Sequence, residues 1–447
     1  MLFSRIAVSA IRLSSIFTLD SRLSAIIVRL SPIFLLAACS DYLTPVESTP
    51  APNEYEYNYW LLQRTYLFED ELGSLKEDGE SVKELYDALK DPYTRYVEPS
   101  KSEAAEIAIN TTMVPGDVGM TYLLNMDAPY PLFVYRVYPK SPAGRADVPR
   151  YANIISINGV DLGGENALDT YNAVLDTSAT IELVMVHDST ELTFSLTKET
   201  VYAPSVFVDT LLETIFISIT GFKPNTADMD NGTYGELKAY LDSTKNVKEP
   251  RVIDIRGNPG GHVEQCVSMA DLFVKSGTLS SRSWRSFAPD GKPTYHEKRV
   301  DAGKGDSGEK GKFIILADNH SASCSEIFAA AVTENADIPL VGTTTYGKGI
   351  GQTNWKTING GLAIITNLEF LTPKGNSYHH KGLVPAYDCG ESATINCAVE
   401  AIQKHFGTKA SVAAKSAKPD GNIIYTAPKN HYDMGGAIMN NFIEEGN

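Results

Sequence analysis

Between about residues 205 and 400, strand-length apolar runs alternate with helical stretches, and that alternation restricts the segment to an α/β architecture. Thr214-Ile-Phe-Ile-Ser-Ile, Arg251-Val-Ile-Asp-Ile, Phe313-Ile-Ile-Leu-Ala and Leu362-Ala-Ile-Ile-Thr read as strands, the second of them buried. Thr233–Leu241, the stretch from the Gly257-Asn-Pro-Gly-Gly turn through Val274, and Ser325–Val332 read as helices. The chain has 447 residues. Single cores seldom grow past roughly 250–300 residues, so two or three domains are expected. A hydrophobic share of 43% and a charged share of 21% are those of folded globular protein. The formal net charge of −16 comes with no basic run, which argues against nucleic acid as a partner.

The N-terminus reads as a leader. Ser24 to Ala38 is an apolar stretch broken by Arg29 and Pro32, preceded by Arg12 and Arg22, and too short for a spanning helix. It ends in Leu36-Ala37-Ala38-Cys39, which looks like a bacterial lipoprotein signal with Cys39 as the lipidated residue. The expectation is a protein of the cell envelope, membrane-attached through lipid and facing the periplasm or cell exterior. Residues 1–38 are then the signal, and 39–53 a polar, proline-rich tether. Cys389 and Cys397 are close enough for a local disulfide in an oxidising compartment. Cys266 and Cys324 sit among apolar residues and are expected as buried free thiols. No Cys/His ligand spacing appears, so neither a metal nor a cofactor is expected.

Residues 54–112 form an N-terminal helical region. Tyr59, Leu62, Tyr66 and Leu72, then Val82, Leu85 and Leu89, suggest a helical hairpin turning at Lys76–Gly79 and stopping at Asp91-Pro92. Residues 113–200 read as a small β domain, with strands at 132–137, 154–157 and 181–186 and one helix near Ala167–Leu175. Pro139-Lys-Ser-Pro-Ala-Gly-Arg-Ala-Asp-Val followed by Ile154-Ile-Ser-Ile-Asn-Gly-Val resembles PDZ domains, although Ala152-Asn153 replaces their usual Gly-Asp. That resemblance implies a peptide added as an extra strand, with amides near Val118, Gly119 and Met120 meeting its terminal carboxylate. Residues 201–407 are the α/β core, and 408–447 a polar tail of uncertain role.

The chemistry gathers in three segments of the core. His320-Ser-Ala-Ser-Cys-Ser-Glu-Ile leaves a strand and enters a helix, where unpaired amides and the helix dipole favour a developing oxyanion. Ser321, Ser323 and Ser325 are all available there, and any of them could instead cap the helix, with Glu326 in its first turn. Lys348 lies between Gly347 and Gly349. Free lysine, with a pKa near 10.4, is a poor base, but burial disfavours its ammonium and makes it a candidate base for serine. Gln352 follows four residues later and could orient the amine. The third segment, Asp254-Ile-Arg-Gly-Asn-Pro-Gly-Gly, is a strand end whose glycines let amides face a substrate carbonyl. Gly342-Thr-Thr-Thr-Tyr-Gly-Lys has P-loop spacing, but Gly349 replaces the magnesium-binding Ser or Thr, which excludes a nucleotide site.

Together the segments resemble the carboxyl-terminal processing proteases, peptidase family S41, whose signature S-A-S-x-S-E-I precedes V-G-x-x-T-x-G-K-G-x-x-Q with 25 positions from serine to lysine. Ser323 and Lys348 stand at that interval; Ser321 and Ser325 do not. The resemblance implies a multidomain α/β protein: a helical hairpin, a PDZ-like β domain and a core of the S41 (ClpP/crotonase-like) type. It implies Ser323 as nucleophile, Lys348 as base and Gln352 as helper, with the backbone of Cys324 and of Gly260 or Gly261 as oxyanion donors. The partners implied are polypeptide substrates, cleaved near or from their C-termini, with homo-oligomer formation left open. The competing reading is a catalytically inactive, lipid-anchored peptide-binding scaffold.

Overall fold

The computed structural model describes residues 53–288, 291–407 and 423–425. Cys39 and the leader before it lie outside the described residues. The chain divides into two compact units.

The first unit joins the N-terminal helical region to Arg285–Tyr295 and Gln352–Thr366. Helix α1 (Glu54–Thr65) starts at Asn53, whose side chain accepts the Glu56 N–H, and carries Glu54 and Glu56 where the helix dipole favours acids. Tyr66 turns to extended backbone and ends it. Two short helices follow, α2 (Glu69–Leu72) and α3 (Val82–Asp87), so the expected hairpin is three short helices. They bury Leu61, Leu62, Tyr66, Leu72 and Leu85 against Trp355, Ala363 and Ile365. The buried Asn58 is satisfied there by the Tyr86 hydroxyl at 2.9 Å.

The second unit holds the β domain and the α/β core. Helix α4 (Pro99–Asn110) leads into strand β1 (Met113–Asp117). The β domain consists of β2 (Met120–Asn125), β3 (Leu132–Val137), β4 (Asn153–Ile157), helix α5 (Ala167–Thr177), β5 (Thr180–His187) and β6 (Thr190–Thr197), with its strands antiparallel in the order β2-β3-β4-β5-β6. Its own core includes Met120, Val134, Ile154, Tyr171 and Leu183. Strand β7 (Glu199–Tyr202) returns to pair with β1 and enters the core. Arg136, almost fully buried on β3, pairs with Asp209 on the first core strand, so the β domain is tied to the core by charge as well as by apolar packing.

The core sheet runs β8 (Val206–Leu211), β9 (Thr214–Ile219), β10 (Arg251–Asp254), β11 (Phe313–Ala317), β12 (Leu340–Gly342) and β13 (Tyr387–Asp388). The first pair is an antiparallel hairpin and all later pairs are parallel. Side-chain alternation sorts the strands onto two faces. Ile217, Ile253, Phe313 and Ile315 pack under helices α6 (Gly232–Ser243), α7 (Val263–Asp271) and α8 (Cys324–Asn335). Phe216, Val252, Ile314 and Leu316 pack under α9 (Ile395–Phe406). A parallel sheet covered on both faces explains why Phe313–Ala317 reads as an unbroken apolar run. A last strand, β14 (Ile423–Tyr425), pairs with β2 of the β domain.

Candidate active site

Strands β10, β11 and β12 are parallel neighbours, so the loops leaving their carboxyl ends lie side by side, where such sheets bind ligands. Asn258, fully buried, ties the first two loops together. Its carbonyl accepts the Ala322 N–H at 3.0 Å and the Ser325 hydroxyl at 2.9 Å, and its side chain accepts the Gly260 N–H and donates to Ile219, both at 2.9 Å. Beneath it Arg256 forks onto Asp254 at 3.0 and 2.8 Å, both residues buried, and donates to the Ala393 carbonyl at 2.6 Å. Removing either partner would leave a buried charge uncompensated, so this turn is held rigidly.

The three candidate serines part company here. Ser321 is fully buried and donates to the Ile255 carbonyl at 2.8 Å; Ser325 is fully buried and donates to Asn258. Both hydroxyls join loops. Ser323 is half-buried and caps α8 with φ 56° and ψ −114°, a region a non-glycine residue rarely occupies. An ordinary cap has extended backbone, so simple capping does not account for that strain. A sharp strand-to-helix turn of this kind is how a nucleophilic serine is exposed at a sheet end.

Glu326 connects Ser323 to Lys348. It is fully buried, and four donors converge on it. One carboxylate oxygen accepts the Ser323 N–H at 2.9 Å and the Lys348 N–H at 2.8 Å. The other accepts the Gly347 N–H at 2.7 Å and the Thr345 hydroxyl. The backbone nitrogens of Ser323 and Lys348 therefore lie closer than the sum of two hydrogen bonds. Sequence reasoning placed Glu326 only in the first turn. The Ser-x-x-Glu spacing announces a capping box, and so the contact to Ser323; the contact to the Lys348 loop crosses from one strand end to another and has no local signal. Tyr378, buried beside this carboxylate, has its phenol pKa pushed up by burial first and by the Glu326 charge second.

The glycines around Lys348 are required by packing. A Cβ on Gly347, whose φ is 89°, would stand 2.8 Å from the Gly382 amide, and one on Gly349 would stand 3.0 Å from His379. The 376–383 segment thus lies directly on the lysine loop, fastened by His380 N–H to the Gly347 carbonyl at 2.8 Å. Gln352 belongs to the first unit, where its side-chain amide donates to the Thr366 hydroxyl at 2.9 Å.

Of the oxyanion candidates, Cys324 offers an N–H at the first helical position, one of the donors a helix leaves unpaired. Gly260 faces it: a Cβ there would lie 2.9 Å from the Cys324 nitrogen. The Gly260 N–H, however, is committed to Asn258, whereas the Gly261 N–H has no acceptor among the described residues. Gly261 itself lies on Phe222, whose N–H donates to the Gly260 carbonyl and whose carbonyl accepts the His262 N–H. Next to Phe222, the Lys223 ammonium donates to the Ala108 and Ile109 carbonyls at the end of α4, and burial lowers its pKa to about 8.

The expectation of free thiols is corrected. Cys266 and Cys324 form a disulfide, with Cα atoms 5.8 Å apart. Both are fully buried among apolar residues as expected, but α7 and α8 pack side by side and bring the thiols together across 58 residues of sequence. The bridge joins the helix after Gly260-Gly261 to the residue after Ser323, and so spans both oxyanion candidates. Cys389 and Cys397 form a second disulfide.

In the β domain, Val118 and Met120 are fully buried. The Val118 carbonyl accepts the Ala143 N–H at 2.9 Å, and the Gly119 N–H donates to the buried Asp117 carboxylate. An amide already committed to an acid is poorly suited to a second carboxylate.

Residues 214–389 match the model of peptidase family S41. Over that stretch the chain is similar to peptidase family S41. The stretch runs from β9 to β13 and contains all three loops, with Ser323, Glu326 and Lys348. Among curated relatives, the chain is 26% identical over 313 residues to the carboxy-terminal processing protease CtpA of Bacillus subtilis (strain 168), covering 69% of this chain and 62% of that one. It is 28% identical over 338 residues to a probable CtpA-like serine protease of Staphylococcus aureus (strain N315), covering 74% and 64%. The chain thus spans less than two thirds of the length of either relative. Among solved structures it is similar to a photosystem II D1 C-terminal processing protease, with 21% identity, 79% of this chain and 96% of that chain covered, and a TM-score of 0.45.

Proposed function

We propose that this chain is an exported serine endopeptidase acting on polypeptides near or from their C-termini, with Ser323 as nucleophile and Lys348 as its base. The observation that carries the proposal is the single Glu326 oxygen shared by the backbones of both residues, at 2.9 and 2.8 Å. It holds a strained serine and a glycine-flanked lysine in one place, an arrangement that a helix cap alone does not require. The two names carboxy-terminal processing protease and CtpA-like serine protease agree with the substrate class.

In the proposed reaction the uncharged Lys348 amine takes the proton of Ser323 as its oxygen bonds to the scissile carbonyl carbon. The oxyanion is met by the N–H groups of Cys324 and Gly261. The amine then gives its proton to the leaving nitrogen as the C–N bond breaks, leaving an acyl-enzyme. Water, deprotonated by the same amine, releases the acyl group and restores the serine. The assignment of Gln352 as a helper rests on the family resemblance. The PDZ-like β domain would add a polypeptide as a further strand and present it to the core. The two disulfides suit an oxidising compartment and so favour export; anchoring through Cys39 rests on the leader sequence.

The test is digestion of an unfolded protein by the purified chain and by its Ser323→Ala and Lys348→Ala variants, with covalent labelling by a serine-reactive probe. Digestion and labelling by the parent, lost in Ser323→Ala, are expected. A folded parent that neither cleaves nor labels is the scaffold of the competing reading.

A further inference from the structure

The sheet of the β domain ends in β2, whose outer edge would be open, yet that edge is taken. Ile423–Tyr425, from the polar tail beyond the core, lies along it as β14, with Ile423 opposite Asn125, Ile424 opposite Leu124 and Tyr425 opposite Leu123. An unpaired edge is a template for strand addition, and β-branched and aromatic residues are the ones that pair well there. The pairing is antiparallel, so the tail runs from the Asn125 end of β2 toward the Gly119 loop. That loop has its amide committed to Asp117, and the chain continues past Tyr425. The edge therefore suits a strand that passes through better than one that stops at a carboxylate.

We propose that Ile423–Tyr425 is a built-in occupant of the polypeptide-binding edge of the β domain, and that an incoming polypeptide must displace it. The inference rests on the proposal that this domain takes polypeptides by strand addition. The tail leaves the core at Gly407, which caps α9 in a left-handed conformation. The segment from there to Ile423 can extend to about 50 Å, so the occupant competes at an effective concentration on the order of millimolar. A three-residue strand pairs weakly. Exclusion of a competing peptide by about tenfold is the scale expected.

The experiment uses Ser323→Ala protein, so that no probe is cleaved and catalysis plays no part in the readout. A fluorescent peptide of residues 421–428 is titrated by anisotropy into three forms: the full chain, the chain ending at Gly407, and the full chain carrying Ile423→Pro with Ile424→Pro. Two adjacent prolines remove a ladder donor whichever residue faces β2. Both altered forms should bind the peptide about tenfold more tightly than the full chain, and the Leu124 amide, turned to the outer edge because its neighbour Asn125 donates inward to Pro131, should exchange faster in both. Equal affinity in all three forms, or no binding, overturns the proposal. Protection of the Leu124 amide that rises with protein concentration overturns the intramolecular assignment. Because these readouts need no turnover, they fail or succeed independently of the Ser323–Lys348 proposal.

Discussion

Glu326→Gln tests whether one buried carboxylate organises the site. Glu326 accepts four hydrogen bonds, two on each oxygen. Glutamine of the same shape keeps one acceptor oxygen and replaces the other with an NH2, which can only donate. Whichever way the amide turns, two of the four donors then face a donor in a site with no solvent access. Leaving a buried donor unsatisfied costs about 1–3 kcal/mol, so the variant should lose about 2–6 kcal/mol of stability. Domains carry about 5–15 kcal/mol, so it should still fold in the cold. Urea unfolding should show a lower midpoint with the slope unchanged. Because the same carboxylate holds the backbones of Ser323 and Lys348, kcat/KM measured where both proteins are folded should fall by about a hundredfold, the scale of an ångström-sized misplacement. Stability within 1 kcal/mol of the parent, together with unchanged kcat/KM, would refute the reasoning.

Three further outcomes follow from the geometry. Gly260→Ala should place its methyl about 2.9 Å from the Cys324 nitrogen and cost about 10²–10³ in kcat, as loss of an oxyanion donor does, with substrate binding measured on a Ser323→Ala background little changed. Replacing Cys266 and Cys324 together by alanine opens a 58-residue loop and should cost about 4 kcal/mol in reversible unfolding; a loss below about 1 kcal/mol would mean the bridge does not constrain the unfolded chain. His262 is half-buried next to Gly261, its imidazole bonded to the Ile109 carbonyl, and desolvation lowers its pKa, with Glu264 opposing and Lys223 adding to the fall. The unfolded imidazole takes its proton first as pH falls below about 6.5. Stability from this group should therefore be full above that value and decline toward the depressed folded pKa. A His262→Gln variant should lack that slope in unfolding titrations between pH 7 and 5; an unaltered slope would remove His262 as its source.

Local chemistry made much of this protein legible in advance. The unbroken apolar run at 313–317 marks a strand covered on both faces, because a parallel sheet leaves no polar side. The 25-position interval and the Gly-Lys-Gly and Asn-Pro-Gly-Gly turns pointed to the loops that the sheet order sets side by side. What could not be read locally were the relations between loops. Cys266 and Cys324 read as free thiols, because apolar burial is the same for a thiol and a bridge and only the packing of α7 on α8 sets their 5.8 Å separation. Glu326 read as a cap because its second set of donors comes from the end of another strand. The tail read as polar and without a role because three strand-forming residues cannot hold a conformation without an edge to pair with. Composition and spacing determine which segments can be strands, turns and reactive groups; which of them meet is decided by strand order and helix packing, which act across distances that no local pattern encodes.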